Sequence, residues 1–308
     1  MKQLKTWQAD LLLLFVAFIW GSTFLLVKNA LQEITPVAFL AIRFLAAFLF
    51  LYIICRPGQK LLRKPVLKAG FLIGLFLFGG YAFQTIGLMF TSAVNAGFIT
   101  GLSVILVPFF SIFLTKKAPN RYVVSGALSA AAGLAFLTLG PGLTLMIGDI
   151  LVFCCACCFA LHIVLVGHYA DSLDPTHLAI VQILTVGLIS AVIAFLSPGE
   201  SLPAVWNKNV IAALAVTSIL ATAMAFLIQN NVQRYTSPAR TAIILSMEPV
   251  FAALTAYIFG NEPLTVQSLV GAALVLGGIL LAEIKGNHGD QAETNANTPL
   301  SAPDGSQP

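Results

Sequence analysis

Residues 10–40 read DLLLLFVAFIWGSTFLLVKNALQEITPVAFL, and residues 149–179 read DILVFCCACCFALHIVLVGHYADSLDPTHLA. Shifted by 139 residues, the two stretches align without a gap: Asp10 falls on Asp149, Val27 on Val166 and Pro36 on Pro175. Beyond a longer connection the offset becomes 145. There Gln84 falls on Gln229, Thr91 and Ser92 on Thr236 and Ser237, and Gly126 on Gly271. Chance supplies an isolated match, but not a register held through both halves. The chain is written twice.

The repeated unit is apolar. Hydrophobic residues make up 58% of the 308 and charged residues 9%, against about 25% charged in an ordinary soluble domain. Apolar spans recur at 11–29, 37–55, 68–87, 93–114, 121–140, 147–167, 177–196, 210–232, 239–259 and 265–284. About 20 such residues as a helix cross the hydrocarbon core of a bilayer. Long runs without period-two alternation predict helices. The expected fold is therefore all-α integral membrane, with ten transmembrane helices. Five spans per half is an odd number, so the second half must enter from the opposite side. The expected organisation is a short N-terminus (1–10), two inverted five-helix repeats (11–140 and 147–285) and a tail (286–308). The tail's polar, Pro-, Gly-, Asn- and Ser-rich composition predicts disorder.

Basic residues set the orientation. With a cytoplasmic N-terminus, thirteen Lys and Arg fall in inner segments and only Lys28 and Lys208 in outer ones, with Arg43 inside a span. That positive-inside bias predicts a multi-pass protein of the bacterial inner membrane with both termini cytoplasmic. The net charge of +4 thus reports topology. No basic helix or aromatic-studded patch accompanies it, which argues against nucleic-acid binding. The first apolar run continues into WGSTFLLVKNA with no small-residue cleavage pattern, so it is expected to remain as a helix.

Inverted repeats are the usual frame of secondary transporters, with a midplane site between the halves exposed alternately to each side. Walker-type, paired-histidine and nucleophile-elbow motifs are absent from the sequence. The chain is therefore not expected to be an enzyme, and no cofactor is implied. The cluster CCACC places Cys154, Cys157 and Cys158 on one helix face. Soft-metal binding is the sharp reading, but zinc spacings normally come from separated pairs on loops. No metal is expected.

Four stretches carry a family likeness: WGSTF (20–24), AIRFLAAFL (41–49), TSAVNAGFITGLSVILVP (91–108) and SMEPVFAALTAYIFGNEPLTVQSLVGAALVLGGILL (246–281). In this order, and with the duplication, the sequence resembles the drug/metabolite transporter superfamily, specifically its EamA branch of ten-helix bacterial carriers. The resemblance implies inner-membrane export of amino acids, related small metabolites or drug-like compounds. It also places spans 5 and 10 at the periphery, where small residues such as Gly126 with Ala130 and Ala273 with Gly277 permit close packing. There they would either brace each half or form a homodimer contact.

Glu248 is the first candidate for a working residue. A charge at the centre of a span costs about 2.5–3.5 kcal/mol on insertion scales, so it faces protein or a wet cavity. Thr241, Glu248 and Thr255 lie seven apart, on one helix face. Pro249 has no N–H for the Leu245 carbonyl, which predicts a helix break. At the 145 offset Glu248 falls on Ser103; the first half's proline, Pro108, comes later and predicts a break at a different depth. Because wetter and drier surroundings bind a carboxyl proton with different strength, Glu248 is the proton-coupling candidate. The plainer reading is a buried acid that serves packing.

Arg43 falls on Gln182 and suits either a structural role or binding of a substrate anion. The resemblance favours the structural one. Trp20, Thr23, Tyr81, Gln84, Asn95, Ser103, His162, Phe226 and Gln229 complete a polar and aromatic set on spans 1, 3, 4, 6 and 8. A few placed donors in an apolar pocket suit small amphipathic solutes. Taken singly, each also reads as interhelical glue worth under about 2 kcal/mol. The expected partners are a small-molecule substrate and the lipid bilayer. The competing functions are an uncoupled facilitator or channel, a multidrug exporter of the same fold and, further off, a membrane enzyme or lipid-handling protein.

Overall fold

The computed structural model describes residues 4–87, 89–91, 96, 99–116, 118–138, 147–197, 199, 206–260 and 266–296, with no β-strand among them. In the first half, α1 spans Thr6–Ala30, α2 Pro36–Cys55, α3 Lys64–Gly87, α4 Ser103–Thr115 and α5 Arg121–Thr138. In the second half, α6 spans Ile147–Ala170 and α7 Pro175–Leu196. A single span follows, made of α8 (Lys208–Ser218), a π-helical turn (Ile219–Met224) and α9 (Ala225–Val232). α10 (Pro238–Leu245), α11 (Glu248–Gly260) and α12 (Val266–Ala296) complete the described chain.

Six stretches of described helix are long and apolar enough to cross a membrane: Thr6–Thr23, Pro36–Cys55, Lys64–Gly87, Ile147–Ala170, Pro175–Leu196 and Lys208–Tyr235. Ile99–Leu114, Arg121–Phe136 and Leu269–Ala282 are shorter apolar helices. Large apolar side chains cover the outside of the bundle, among them Phe195 at 90% exposure and Val266 at 78%. Such a surface is costly in water and at home in hydrocarbon.

Local chemistry sets the helix ends. Pro36, Pro175 and Pro238 each occupy the first turn of a helix, where the missing N–H has no intrahelical partner to lose. Asp174 accepts from the Thr176 and His177 amides, and Ser237 from the Arg240 amide, so the orphan donors of α7 and α10 are capped. Arg56 and Lys116 end α2 and α4 in the left-handed region, at φ 45° and 55°. Both place a cation at a helix C-terminus, where the dipole favours it.

The helix pairs follow the sequence repeat. α2 packs on α7, α5 on α12, α3 on α6 and α7, and α1 on α8, α9 and α11. At the 139 and 145 offsets, the α3–α6 pair maps onto α1 with α8 and α9, and α4–α6 maps onto α1–α11. α4 and α11 begin and end at matching positions, Ser103 with Glu248 and Thr115 with Gly260. The α5–α12 crossing is backbone on backbone. A Cβ on Gly126 would lie 2.6 Å from the Gly278 carbonyl oxygen, and one on Gly133 2.6 Å from that of Gly271. Ser129 Oγ donates to the Leu274 carbonyl at 2.9 Å, across the 145-residue offset itself. The small faces of these two helices are thus spent on each other. Gly277, expected at the contact, has no neighbour there.

Three expectations change. Span 4 is interrupted at Leu102, directly before Ser103, and not at Pro108, which sits inside α4. Span 9 is interrupted at Ser246 and Met247, directly before Glu248. The two breaks therefore match in depth. Matching amide bonds close both turns, Leu102 to Ile99 and Leu106 to Leu102 in one, Met247 to Ile244 and Phe251 to Met247 in the other. A proline inside a packed membrane helix loses one hydrogen bond without ending it, because neighbouring groups compensate. Finally, α12 stays helical to Ala296, eleven residues into the tail expected to be disordered; extending a helix needs no new nucleus. Residues 297–308 lie outside the described residues.

Candidate functional site

The π turn in the eighth span is the local feature around which polar groups gather. Wider i→i+5 bonding displaces carbonyls from the regular ladder. The Ala221 carbonyl accepts from Trp20 Nε1 at 2.8 Å and from Arg43 Nη2 at 3.3 Å. Arg43 Nε donates to Thr222 Oγ1 at 2.6 Å, and Nη2 also reaches the Tyr81 hydroxyl at 3.4 Å. The guanidinium lies 5.0 Å from the Tyr81 ring centroid and 5.5 Å from that of Phe44. Arg43 is 5% exposed, so its charge is held inside the bundle by hydrogen bonds and ring faces. α2 contributes the cation, α3 a hydroxyl and ring, α1 an indole, and the π turn the acceptors.

An aromatic frame surrounds it. Trp20 packs against Phe226 with the rings tilted, and Tyr81 meets Phe159 edge to face, each pair with centroids 5.4 Å apart; Tyr81 meets Phe226 at 6.4 Å. The 139 offset carries Trp20 onto Phe159, and the 145 offset carries Tyr81 onto Phe226. The two copies thus meet through rings. His162 lies 5.7 Å from Phe226, and its Nε2 is 2.7 Å from Gln182 Oε1. Gln182 is the register partner of Arg43.

Glu248 opens α11 beneath this frame. The Ser246–Met247 turn ends α10, and Pro249 then sits in the first turn of α11, where its missing N–H breaks nothing further. A Cβ on Gly21 would overlap the Glu248 carbonyl oxygen, so glycine in WGSTF lets α1 lie directly against this turn. Glu248 is half-buried, and its carboxyl has no hydrogen bond or ion pair among the described residues. It lies within electrostatic reach of Arg43, Tyr81 and Cys155. Trp20, Tyr81, Gln84, Ser103, Phe159 and Glu248 all keep partial accessibility.

Of the residues expected in the pathway, Trp20, Arg43, Tyr81, His162 and Phe226 form one connected cluster, with Glu248 facing it. Gln84 donates to Thr100 at 3.2 Å, and Ser103 starts α4 at the register of Glu248. Thr23 returns its hydroxyl to the Ile19 and Trp20 carbonyls of its own helix. Gln229 is 1% exposed and bonds Gln233, which bonds the Ile163 carbonyl, a separate network. Asn95 lies outside the described residues. The expected Thr241–Glu248–Thr255 stripe is cut by the turn before Glu248; Thr241 is fully buried, and Thr255 bonds the Phe251 carbonyl and Ser22.

Sequence reasoning missed Thr100, Gly21 and the π turn, for which no residue pattern stands out. It also passed over an ion pair, Asp10 with Arg240 at 2.6 Å, that ties the start of α1 to the start of α10. The match of Asp10 with Asp149 was its signal. Asp149, at the start of α6, accepts from Thr91 Oγ1 at 2.5 Å.

Comparison with known proteins agrees with this architecture. The EamA-like transporter family matches the chain twice, over residues 7–139 and 146–283. An "Uncharacterized transporter" of Archaeoglobus fulgidus is 39% identical over 281 residues, 91% of this chain and 87% of the relative. "Uncharacterized transporter YvbV" of Bacillus subtilis is 28% identical, covering 92% and 94%. A solved crystal structure superposes with a TM-score of 0.77 at 22% identity, over 91% of this chain and 98% of that one, and so shares the fold. Helices fit to cross a bilayer, a polar cluster sealed among them and a family match over both halves lead to one conclusion: this chain belongs to the EamA-like transporter family and is a multi-pass membrane transporter.

Proposed function

We propose that the chain is a proton-coupled secondary transporter of ten crossings that exports amino acids or related small metabolites by alternating access. In this reading, 11–140 and 147–285 are five-helix repeats of opposite orientation. The doubled family match and the helix pairs that exchange at the repeat offsets support it. The bias of basic residues supports an inner-membrane placement with cytoplasmic termini. Substrate lies in the cleft bounded by Trp20, Tyr81, Phe226 and Glu248, with Gln84, Ser103 and His162 at its margins. A dimer, if formed, uses the outer faces of α5 and α12, since their glycine faces meet within the chain.

One observation carries the coupling: the Glu248 carboxyl starts a half-helix at a break, half-buried and unpartnered among the described residues, beside a fixed cation. Rocking of the halves changes how wet that carboxyl is, and a change in hydration changes its hold on a proton. It therefore loads in one access state and unloads in the other. The experiment is flux in proteoliposomes under an imposed pH gradient, with amino acids as the first substrates. Wild type concentrates substrate against its gradient. Glu248→Gln still equilibrates substrate but ignores the pH gradient. Gradient-driven flux in that variant equal to wild type rejects the coupling role.

A further inference from the structure

The guanidinium of Arg43 is pinned on one side only. Nε is given to Thr222, and Nη2 to Tyr81 and the Ala221 carbonyl. Nη1 has no acceptor among the described residues, although Arg43 is 5% exposed. A buried guanidinium holds five donors in a fixed fork and favours oxygen anions that meet two of them together. Glu248, at the start of α11, lies within electrostatic reach of Arg43, and its carboxyl has no partner among the described residues. No ion pair joins the two among the described residues, yet they interact electrostatically. The site thus holds one immobile cation and one uncommitted carboxylate.

We propose that Arg43 Nη1 is the subsite for an anionic oxygen of the substrate, and that Glu248 and the substrate anion are alternative counter-ions to Arg43. The proposal rests on the reading of this cleft as the substrate site. The charged or titratable groups that act on Glu248 are Arg43 from α2, Tyr81 from α3 and Cys155 from α6. α1 and α5, the helices packed against α11, bring no such group to it among the described side chains. Among the described side chains Arg43 is therefore the one cation in reach. Two carboxylates beside a single guanidinium away from bulk water repel each other. A substrate carboxylate entering at Nη1 is accepted when Glu248 takes one proton from solvent, so that anion and proton bind together, the net charge of the site is kept, and export of the pair runs down the substrate's own gradient. Glutamine at position 182, the register partner of Arg43, supplies no such cation in the second copy.

The test uses purified full-length protein in lipid nanodiscs, with benzoate and uncharged benzamide as matched probes, titrated by thermal shift between pH 6 and pH 8. Benzoate is ionised throughout that range. Wild type is expected to be stabilised saturably by benzoate and not by benzamide. Its apparent Kd should weaken with rising pH, by up to about tenfold per unit where one proton is linked. Glu248→Gln should keep the preference for benzoate and lose the pH slope. Arg43→Lys, which keeps the charge but not the fork, should weaken benzoate at least tenfold. No stabilisation by benzoate, or equal stabilisation by benzamide, overturns the anion subsite. An unchanged pH slope in Glu248→Gln overturns the counter-ion exchange. If Arg43→Lys does not fold, the probe preference of wild type and the slope in Glu248→Gln still decide. Failure here leaves pH-driven flux intact, whereas failure of the coupling reading leaves benzoate binding intact.

Discussion

The two copies of the repeat agree in their rings and disagree in their charges. Trp20 with Phe226 and Phe159 with Tyr81 are contacts between register-matched positions, both at 5.4 Å though at different ring angles. The polar positions around them differ: Arg43 stands against Gln182, Thr222 against Leu77, and Glu248 against Ser103. Asp10 and Asp149 are retained in both copies, but their partners are not. One meets the guanidinium of Arg240, the other the hydroxyl of Thr91. Aromatic packing is needed wherever the halves meet, so both copies keep it. A site that binds one substrate in one orientation needs its charge once.

The largest effect should come from breaking the charged member of the second comparison. Asp10→Asn leaves the Arg240 guanidinium, whose side chain is 8% exposed, without its carboxylate. Removing one partner of a buried pair costs about 3–5 kcal/mol, read as a fall in melting temperature of the purified protein. Thr91→Val removes a single hydrogen bond from Asp149 and should cost about 1.5–3 kcal/mol. Equal losses would abolish the asymmetry between the two ends. Reversing the pair, Asp10→Arg with Arg240→Asp, should recover much of the first loss.

Next is the crossing where the copies touch. Gly126→Val places side chain into the Gly278 carbonyl and should cost about 1–3 kcal/mol as overpacking. Gly277→Ala meets nothing within 4 Å and should be neutral in the same assay. Smaller still, Arg43→Lys should lose about 1–2 kcal/mol, from the short bond to Thr222 and its place among the rings. Gln182→Met, on the other side of the comparison, removes the bond to His162 without adding a charge and should cost about 1 kcal/mol. Glu248→Gln should also change stability little, within about 0.5 kcal/mol, because the fold gives that carboxyl no partner among the described residues. Its effect appears in pH-driven flux. A large stability loss there would make Glu248 a packing acid.

Much of this was legible in the sequence because apolar length, basic loops and repeat register are one-dimensional signals. The register paired Gly126 with Gly271, and the spacing of small residues marked α5 and α12 for close packing. The break in span 4 was misplaced because the proline rule was applied to Pro108, whereas carrying the break expected at Pro249 across the 145 offset would have pointed to Val104, two residues from the observed turn at Leu102. The partners of Arg43 were not legible because they lie on α3 and in the π turn, 38 and 179 residues away along the chain. The π turn itself left no mark, since ILATAM is ordinary helix composition. Long-range partners and small changes in helical pitch arise from packing, which no local pattern encodes.

The π turn also decides how this site can be probed. The acceptor shared by Trp20 and Arg43 is the backbone oxygen of Ala221. A residue that is already alanine, contributing only its main chain, is silent in any alanine scan. A complete scan would rank Arg43, Tyr81 and Trp20 and return nothing for the atom that holds two of them in place. Detecting it takes a change to the chain itself: deletion of one residue within 219–224, which restores the regular pitch, or replacement of the amide by an ester that weakens this single acceptor.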